Sequence, residues 1–212
     1  LGSYGPGKGG DTTWRGGGGG HGGIGGKGDG PLGGAIYGSS NTPVRAGSGG
    51  GGSGGESYAS YRHAGMGGGV IRVEATGGIT LDGMLSAKGG LSPSGDFGGG
   101  AGGSVCVTCE ALRGSAQGAI TAAGGTGGGL GGGGGGGRIA IWVKTAASVL
   151  NRYLAGEPGT KLYSLDQLPD FSGTMSVTNG TGMVNPPTAD AAESGTIRLG
   201  MVIIPGSLVV LQ

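Results

Sequence analysis

V-I-R-V-E-A at residues 70–75, S-V-C-V-T-C at residues 104–109 and R-I-A-I-W-V at residues 138–143 begin 34 residues apart each time. A second pair of segments recurs with almost the same period, because G-M-L-S-A-K-G-G from Gly83 and G-A-I-T-A-A-G-G from Gly118 begin 35 residues apart. A fixed period of this size is typical of a repeat protein in which each unit covers the open face of its neighbour. Each unit is therefore predicted to contain a strand, a turn, a second strand and a glycine-rich return.

The first strand of each unit alternates apolar and polar side chains, as expected for extended chain with one buried face. The predicted core face carries Ile71, Val73, Ala75, Val105, Val107, Cys109, Ile139, Ile141 and Val143. The opposite face carries Arg72, Glu74, Cys106, Thr108, Arg138 and Trp142. This mixed chemistry predicts contact with water or with a partner.

Glycine accounts for 63 of the 212 residues, against roughly 7% in ordinary proteins, without the strict period of collagen. Because glycine loses more backbone entropy on folding than any other residue, the runs at residues 16–20, 49–52 and 131–137 need ordered partners. Polyglycine can form an extended threefold helix, and such helices pack through N–H···O and Cα–H···O contacts. We favour stacked glycine strands over the alternative, which is flexible loops.

The sequence thus predicts an all-β protein, with a glycine-rich β-solenoid or stacked-sheet fold, polyglycine II-like strands and a small C-terminal β segment. Residues 1–143 are predicted to form the repeat domain, whose period is clearest from 70 to 143. Residues 144–212 contain less glycine and form the C-terminal segment. Within it we expect a helical turn in A-A-S-V-L-N-R-Y-L and strands beginning near Phe171 and Thr196.

The chain ends in the apolar stretch M-V-I-I-P-G-S-L-V-V-L-Q, with a turn signal at Pro205-Gly206. It has three interpretations: a strand of the chain's own sheet, a strand donated to a neighbouring subunit, or a membrane anchor. The stretch is too short and too interrupted for a spanning helix, which needs about 20 apolar residues, so no membrane span is predicted. The candidate assembly residues are Met201, Val202, Ile203, Ile204, Leu208, Val209, Val210 and Leu211.

The net charge and the spacing of the polar residues argue against nucleic-acid binding, catalysis and metal binding. The formal net charge is +1, which gives no electrostatic footprint for nucleic acid and weakens the repulsion between copies. No nucleophile triad, paired carboxylates or metal-ligand spacing is visible, so we predict neither an enzyme nor a cofactor or metal. Cys106 and Cys109 lie on opposite faces of a predicted strand and are not expected to form a disulfide.

Four aromatic residues of the first 65 positions are candidates for contact with a ligand or another subunit: Trp14, Tyr37, Tyr58 and Tyr61. Together with His21, His63, Arg45 and Arg62, they offer a stacking surface for sugars. The alternative is that these side chains fill the edges of the glycine layers.

The segments G-G-H-G-G-I-G-G-K-G, Y-G-S-S-N-T-P-V-R-A-G-S-G-G-G-G, I-T-L-D-G-M-L-S-A-K-G-G and G-G-G-G-G-G-G-R-I-A-I-W-V resemble the glycine-rich repeat regions of large bacterial cell-surface and secreted proteins. The resemblance covers residues 16–143. It implies an extracellular β-rich scaffold and carries no catalytic residues.

We therefore predict an extracellular or cell-surface structural protein whose copies associate with one another into a filament or surface layer. Strand donation from the C-terminal tail is the predicted route. The alternative function is a carbohydrate-binding adhesin module that recognises surface glycans.

Overall fold

The computed structural model describes residues 4–12, 15–52, 64–93, 95–182 and 191–204. This part of the chain is largely β, as the sequence predicts, and it contains ten strands and one helix. The strands are β1 Val70–Glu74, β2 Ile79–Thr80, β3 Met84–Ser86, β4 Ser104–Cys109, β5 Leu112–Arg113, β6 Ala119–Thr121, β7 Arg138–Val143, β8 Lys161–Ser164, β9 Thr174–Ser176 and β10 Thr196–Ile203, and the helix is α1 Ala147–Leu154.

Strands of successive repeats pair in parallel, in a register that matches the 34-residue period of the sequence. Val70 lies opposite Ser104, and Ser104 lies opposite Arg138. We call β1, β2 and β3 the first tier, β4, β5 and β6 the second tier, and β7 and β9 the third tier. The strands form three sheets in the orders β1-β4-β7-β10-β8, β2-β5 and β3-β6-β9. All pairings are parallel except that of β8 with β10, which is antiparallel.

The predicted core face is confirmed, because its six residues in β4 and β7 are buried in one hydrophobic cluster and its three residues in the first repeat, Ile71, Val73 and Ala75, pack against that cluster. The prediction for the opposite face is wrong for β4 and β7, where all six residues of each strand are buried. A loop around residues 37–46 covers this face and accepts a hydrogen bond from the Trp142 indole at the Asn41 carbonyl, 2.8 Å away. Leu150 of α1 packs beside the same tryptophan. The mixed chemistry therefore serves contacts within the chain.

The expected helix and the two expected strands of the C-terminal segment are present as α1, β9 and β10. The division of the chain at residue 143 stays a prediction. Strands from both sides of that position share a sheet, since β10 pairs with β7.

The glycine-rich returns pack against one another through backbone hydrogen bonds, and residues 98–103 illustrate the pattern. The amides of residues 98 and 101 donate to one segment, at Gly51 and Ser48. Those of residues 99 and 102 donate to a second segment, at Gly132 and Gly135. Those of residues 100 and 103 donate to a third, at Gly90 and Ala87, and all six N···O distances lie between 2.7 and 2.9 Å.

The carbonyls of the same segment accept from further neighbours. Gly65 and Gly68 donate to residues 98 and 101, Gly19 donates to residue 99, and Gly125 donates to residue 100. Every residue from 98 to 103 is buried. Backbone groups that would be costly to bury unpaired are thus satisfied by other backbone groups, with a period of three residues. We call these mutually bonded glycine segments the glycine bundle.

Adding a single methyl group inside the glycine bundle should destabilise the protein. The Cβ of Gly134→Ala would overlap the carbonyl of Gly100, whereas the Cβ of Gly77→Ala, in the turn after β1, would meet open space. We expect Gly134→Ala to lower the free energy of unfolding by about 1–3 kcal/mol. The Gly77→Ala control should change it by no more than about 1 kcal/mol, in the stabilising direction. Chemical denaturation measures both, and equal effects would contradict the packing described.

Candidate functional site: the open edge of the first tier

One edge of the first tier has no pairing partner among the described residues. Each of its three strands pairs on one side with the second tier, β1 with β4, β2 with β5 and β3 with β6. No residue in the described ranges pairs with the other side of these strands. A strand edge with unpaired N–H and C=O groups is a template for another strand.

The hydrophobic core is also incompletely covered at this edge. Ile71 and Val73 are only partly buried, whereas Val105 and Val107, their partners in the second tier, are 0% and 1% exposed. The same step in burial separates Leu85 from Ile120. Full burial of a side chain of this size stabilises by roughly 1.5–3 kcal/mol. The apolar surface that these side chains still expose is surface that a partner stacked on this edge would bury.

The surroundings of the edge allow close approach. A Cβ added at Gly69, Gly77 or Gly83 would meet nothing within 4 Å. Val70 is 42% exposed and Met84 is 65% exposed. The outer face of β1 carries Arg72 and Glu74, whose side chains form an ion pair and remain nearly half exposed. Apolar, charged and backbone groups are thus all available on this one surface.

The opposite end of the five-stranded sheet is built differently. There β10 is flanked by the short antiparallel strand β8, which begins with Lys161. A short edge strand with a lysine is one of the devices by which natural sheets discourage further pairing. Met201, Val202 and Ile203 lie in β10 opposite Tyr163, Leu162 and Lys161.

The eight candidate assembly residues are therefore divided by the structure. Met201 and Val202 are buried and Ile203 is partly buried within the chain's own sheet, and Ile204 follows directly after β10. Leu208, Val209, Val210 and Leu211 lie outside the described residues. Their part in assembly stays a prediction.

Tyr37 is the one candidate ligand residue that falls in the described ranges, since Trp14, Tyr58 and Tyr61 lie outside them. The Tyr37 hydroxyl donates to the carbonyl of Ala46 and accepts from the Ser48 hydroxyl, with an O···O distance of 3.0 Å. Its ring lies against His21, with the ring centroids 4.8 Å apart. Burial raises the pKa of the Tyr37 hydroxyl. Tyr37 is thus held by internal contacts, the arrangement expected of an edge filler in the glycine bundle.

His21 lies in a group of polar side chains, His21, Tyr37 and Arg138, that we call the polar joint. This group was not predicted from the sequence. His21 is 0% exposed, and its Nδ1 donates to the carbonyl of Gly102 at 2.9 Å. With Nδ1 carrying the proton, Nε2 is an acceptor, and it is buried with no donor among the described groups. Burial, with the nearby positive charge of Arg138, holds the pKa of His21 below its usual value.

Arg138 ties this joint to the sheet. Its guanidinium donates from Nε and Nη2 to the carbonyl of Tyr37, at 3.2 and 3.0 Å, and from Nη1 to the hydroxyl of Thr196, at 3.1 Å. The only sign of these contacts in the sequence was an arginine and a tryptophan inside an otherwise apolar strand, R-I-A-I-W-V. That pattern indicated contacts outside the core but could not specify the loop that makes them.

The cysteines point into separate clusters, as their predicted opposite orientation requires. Cys109 belongs to the main core and Cys106 to the cluster around Trp142, and both thiols are free and buried. Burial raises the pKa of each to about 11. At neutral pH both remain protonated, which is the unreactive form.

Comparison with known proteins gives no match to a protein-family model, to a curated protein or to a solved structure. Among the described residues, no three or more His, Cys, Asp or Glu side chains cluster in a way that could hold a metal ion. The single helix of the same residues is too short to cross a membrane.

The buried imidazole should make stability dependent on pH. Because the pKa of His21 is lower in the folded chain than in the unfolded chain, the unfolded state binds more protons below about pH 6.5. Stability should therefore fall as the pH drops from 7 to 5, by up to about 1.4 kcal/mol per pH unit. Denaturation of His21→Asn across this range should show a smaller slope than denaturation of the unsubstituted protein. An unchanged slope in His21→Asn would exclude His21 as the cause.

Thiol labelling tests the burial of the two cysteines. In the native protein at pH 7.5, a thiol reagent should modify neither Cys106 nor Cys109 on the timescale on which it modifies both in denaturant. Rapid modification of either thiol without denaturant would show that the tiers or the covering loop open readily.

Proposed function

We propose that this chain is an extracellular structural protein, a rigid subunit of a self-assembling filament or surface layer at the cell surface. The observation that carries the proposal is the open edge of the first tier, where a repeat-built core ends without a described covering strand. Repeat arrays need caps to remain separate, and uncapped ends associate. The low net charge adds little electrostatic repulsion between copies.

In this proposal the stacked tiers are a short β-solenoid, and the glycine bundle is a packed array of polyglycine II-like helices. Support for the second part comes from the hydrogen bonds of residues 98–103, which return to the same neighbouring segment every third residue. Three residues per turn is the periodicity of that helix. Its groups bond between segments, which makes the body stiff without a large apolar core.

The proposed route between subunits is strand donation from the tail. The tail follows β10 in the sequence, and β10 lies in the last part of the five-stranded sheet, while β1 lies at the other end of that sheet. Two different ends allow a head-to-tail or alternating chain that does not close on itself. The sequence S-L-V-V-L-Q at residues 207–212 has the apolar character of a donated strand.

Negative-stain electron microscopy and size-exclusion chromatography of the purified chain test this proposal. We expect fibres or sheets with a regular axial repeat. A tail variant with Leu208→Ser, Val209→Ser, Val210→Ser and Leu211→Ser should form none, because it removes the apolar side chains of the donated strand and leaves β10 intact. The matched control carries Leu208→Val, Val209→Leu, Val210→Leu and Leu211→Val, and it should assemble normally.

Fibres from the tail variant would show that strand donation is wrong. A uniformly monomeric wild-type chain would contradict the structural proposal itself. The adhesin hypothesis would then be tested by glycan screening, with Trp14 and Tyr37 as the first substitutions.

A further inference from the structure

We propose that the open edge of the first tier is a self-complementary interface, through which β1 pairs antiparallel with β1 of a second copy. The twofold axis passes through Val73. The inference rests on the proposed self-assembly and identifies one of its contacts. A filament that contains this contact alternates between β1–β1 pairs and contacts made by the tails.

The order of residues in β1 is the first argument. When Val73 lies opposite Val73 of the second copy, Ile71 lies opposite Ala75 and Arg72 lies opposite Glu74. Directly opposed residues of antiparallel strands share a face of the sheet. The core face of the pair is therefore entirely apolar, and the outer face carries two cross-strand pairs of opposite charge.

Other registers are less favourable. A shift by one residue places apolar side chains on the charged face. Centring the axis on Arg72 or on Glu74 sets two like charges opposite each other, which destabilises a strand pair. Of the registers that keep the apolar residues on the core side, the one centred on Val73 pairs both charges with opposite partners.

Burial is the second argument. Ile71, Val73 and Ala75 pack against the core but are incompletely covered, unlike Val105 and Val107 one tier further in. A second copy brings an identical, incompletely covered layer. In the dimer, the first tier of each copy is covered on one side by its own second tier and on the other side by the first tier of the second copy.

The charges are also available for such a contact. The side chains of Arg72 and Glu74 are 49% and 43% exposed, and they pair with each other within one copy. An exposed pair of this kind contributes little to the stability of one chain. Charge reversal at Arg72 or Glu74 should therefore affect the stability of the dimer more than the stability of the fold.

The test uses the full-length tail variant, in which strand donation is removed and contact through the edge can be measured alone. Sedimentation equilibrium should show a monomer–dimer equilibrium. Arg72→Glu or Glu74→Arg, added singly, should raise the dimer dissociation constant at least about tenfold, because each opposes like charges at two positions.

Two further samples distinguish charge repulsion at the interface from an effect of the substitutions on folding. An equimolar mixture of the Arg72→Glu and Glu74→Arg chains should form a heterodimer, since every cross-strand pair is again of opposite charge. The double exchange, Arg72→Glu with Glu74→Arg, should restore the homodimer. A tail variant that is monomeric throughout, or a dimer insensitive to both reversals, would overturn the inference.

The outcomes also distinguish this inference from the proposed function. Wild-type fibres together with a monomeric tail variant would leave the filament standing and remove the β1 interface. A dimer that follows the charge pattern, in a wild-type protein that forms no fibres, would support the interface and contradict the filament.

Discussion

The structure depends on how closely glycine backbones approach one another. Inside the glycine bundle, a Cβ built on Gly18, Gly98 or Gly134 would overlap a carbonyl of a neighbouring segment. The segments thus lie at a separation that side chains would prevent. At that separation, amides and carbonyls of neighbouring segments satisfy one another at ordinary hydrogen-bond distances. A composition that would otherwise produce a flexible linker therefore yields a dense, hydrogen-bonded interior.

The tiers and the glycine bundle depend on each other. Each strand of the five-stranded sheet up to β7 continues directly from a glycine segment, as residues 98–103 run into β4 and residues 131–137 run into β7. Parallel stacking of the tiers fixes where the glycine segments begin, and the bundle fixes the spacing of the tiers. The polar joint of His21, Tyr37 and Arg138 links the two, because its hydrogen bonds reach the bundle at Gly102 and the sheet at Thr196.

The sequence specified the periodic part of this fold and left the long-range part undetermined. The spacing of V-I-R-V-E-A, S-V-C-V-T-C and R-I-A-I-W-V predicted repeats that cover one another, and their alternation predicted the core face, because both are patterns that can be read along the sequence. The cover over β4 and β7 was not predictable, since the Trp142 indole reaches a carbonyl 101 positions earlier in the chain. Nor could the partners of each glycine segment be assigned, because glycine has no side chain to distinguish one neighbour from another. His21, flanked by glycine on both sides, gave no local sign of its burial.

Amide hydrogen exchange, resolved by residue, tests the central claim that the glycine segments form a bonded interior. The amides of residues 98–103 should exchange as slowly as those of β7, since both are buried and hydrogen bonded, and exchange from such sites requires opening of the structure. Exchange of residues 98–103 at the rate of an unstructured chain, with β7 still protected, would show that the glycine segments are linkers between the tiers and would contradict the account.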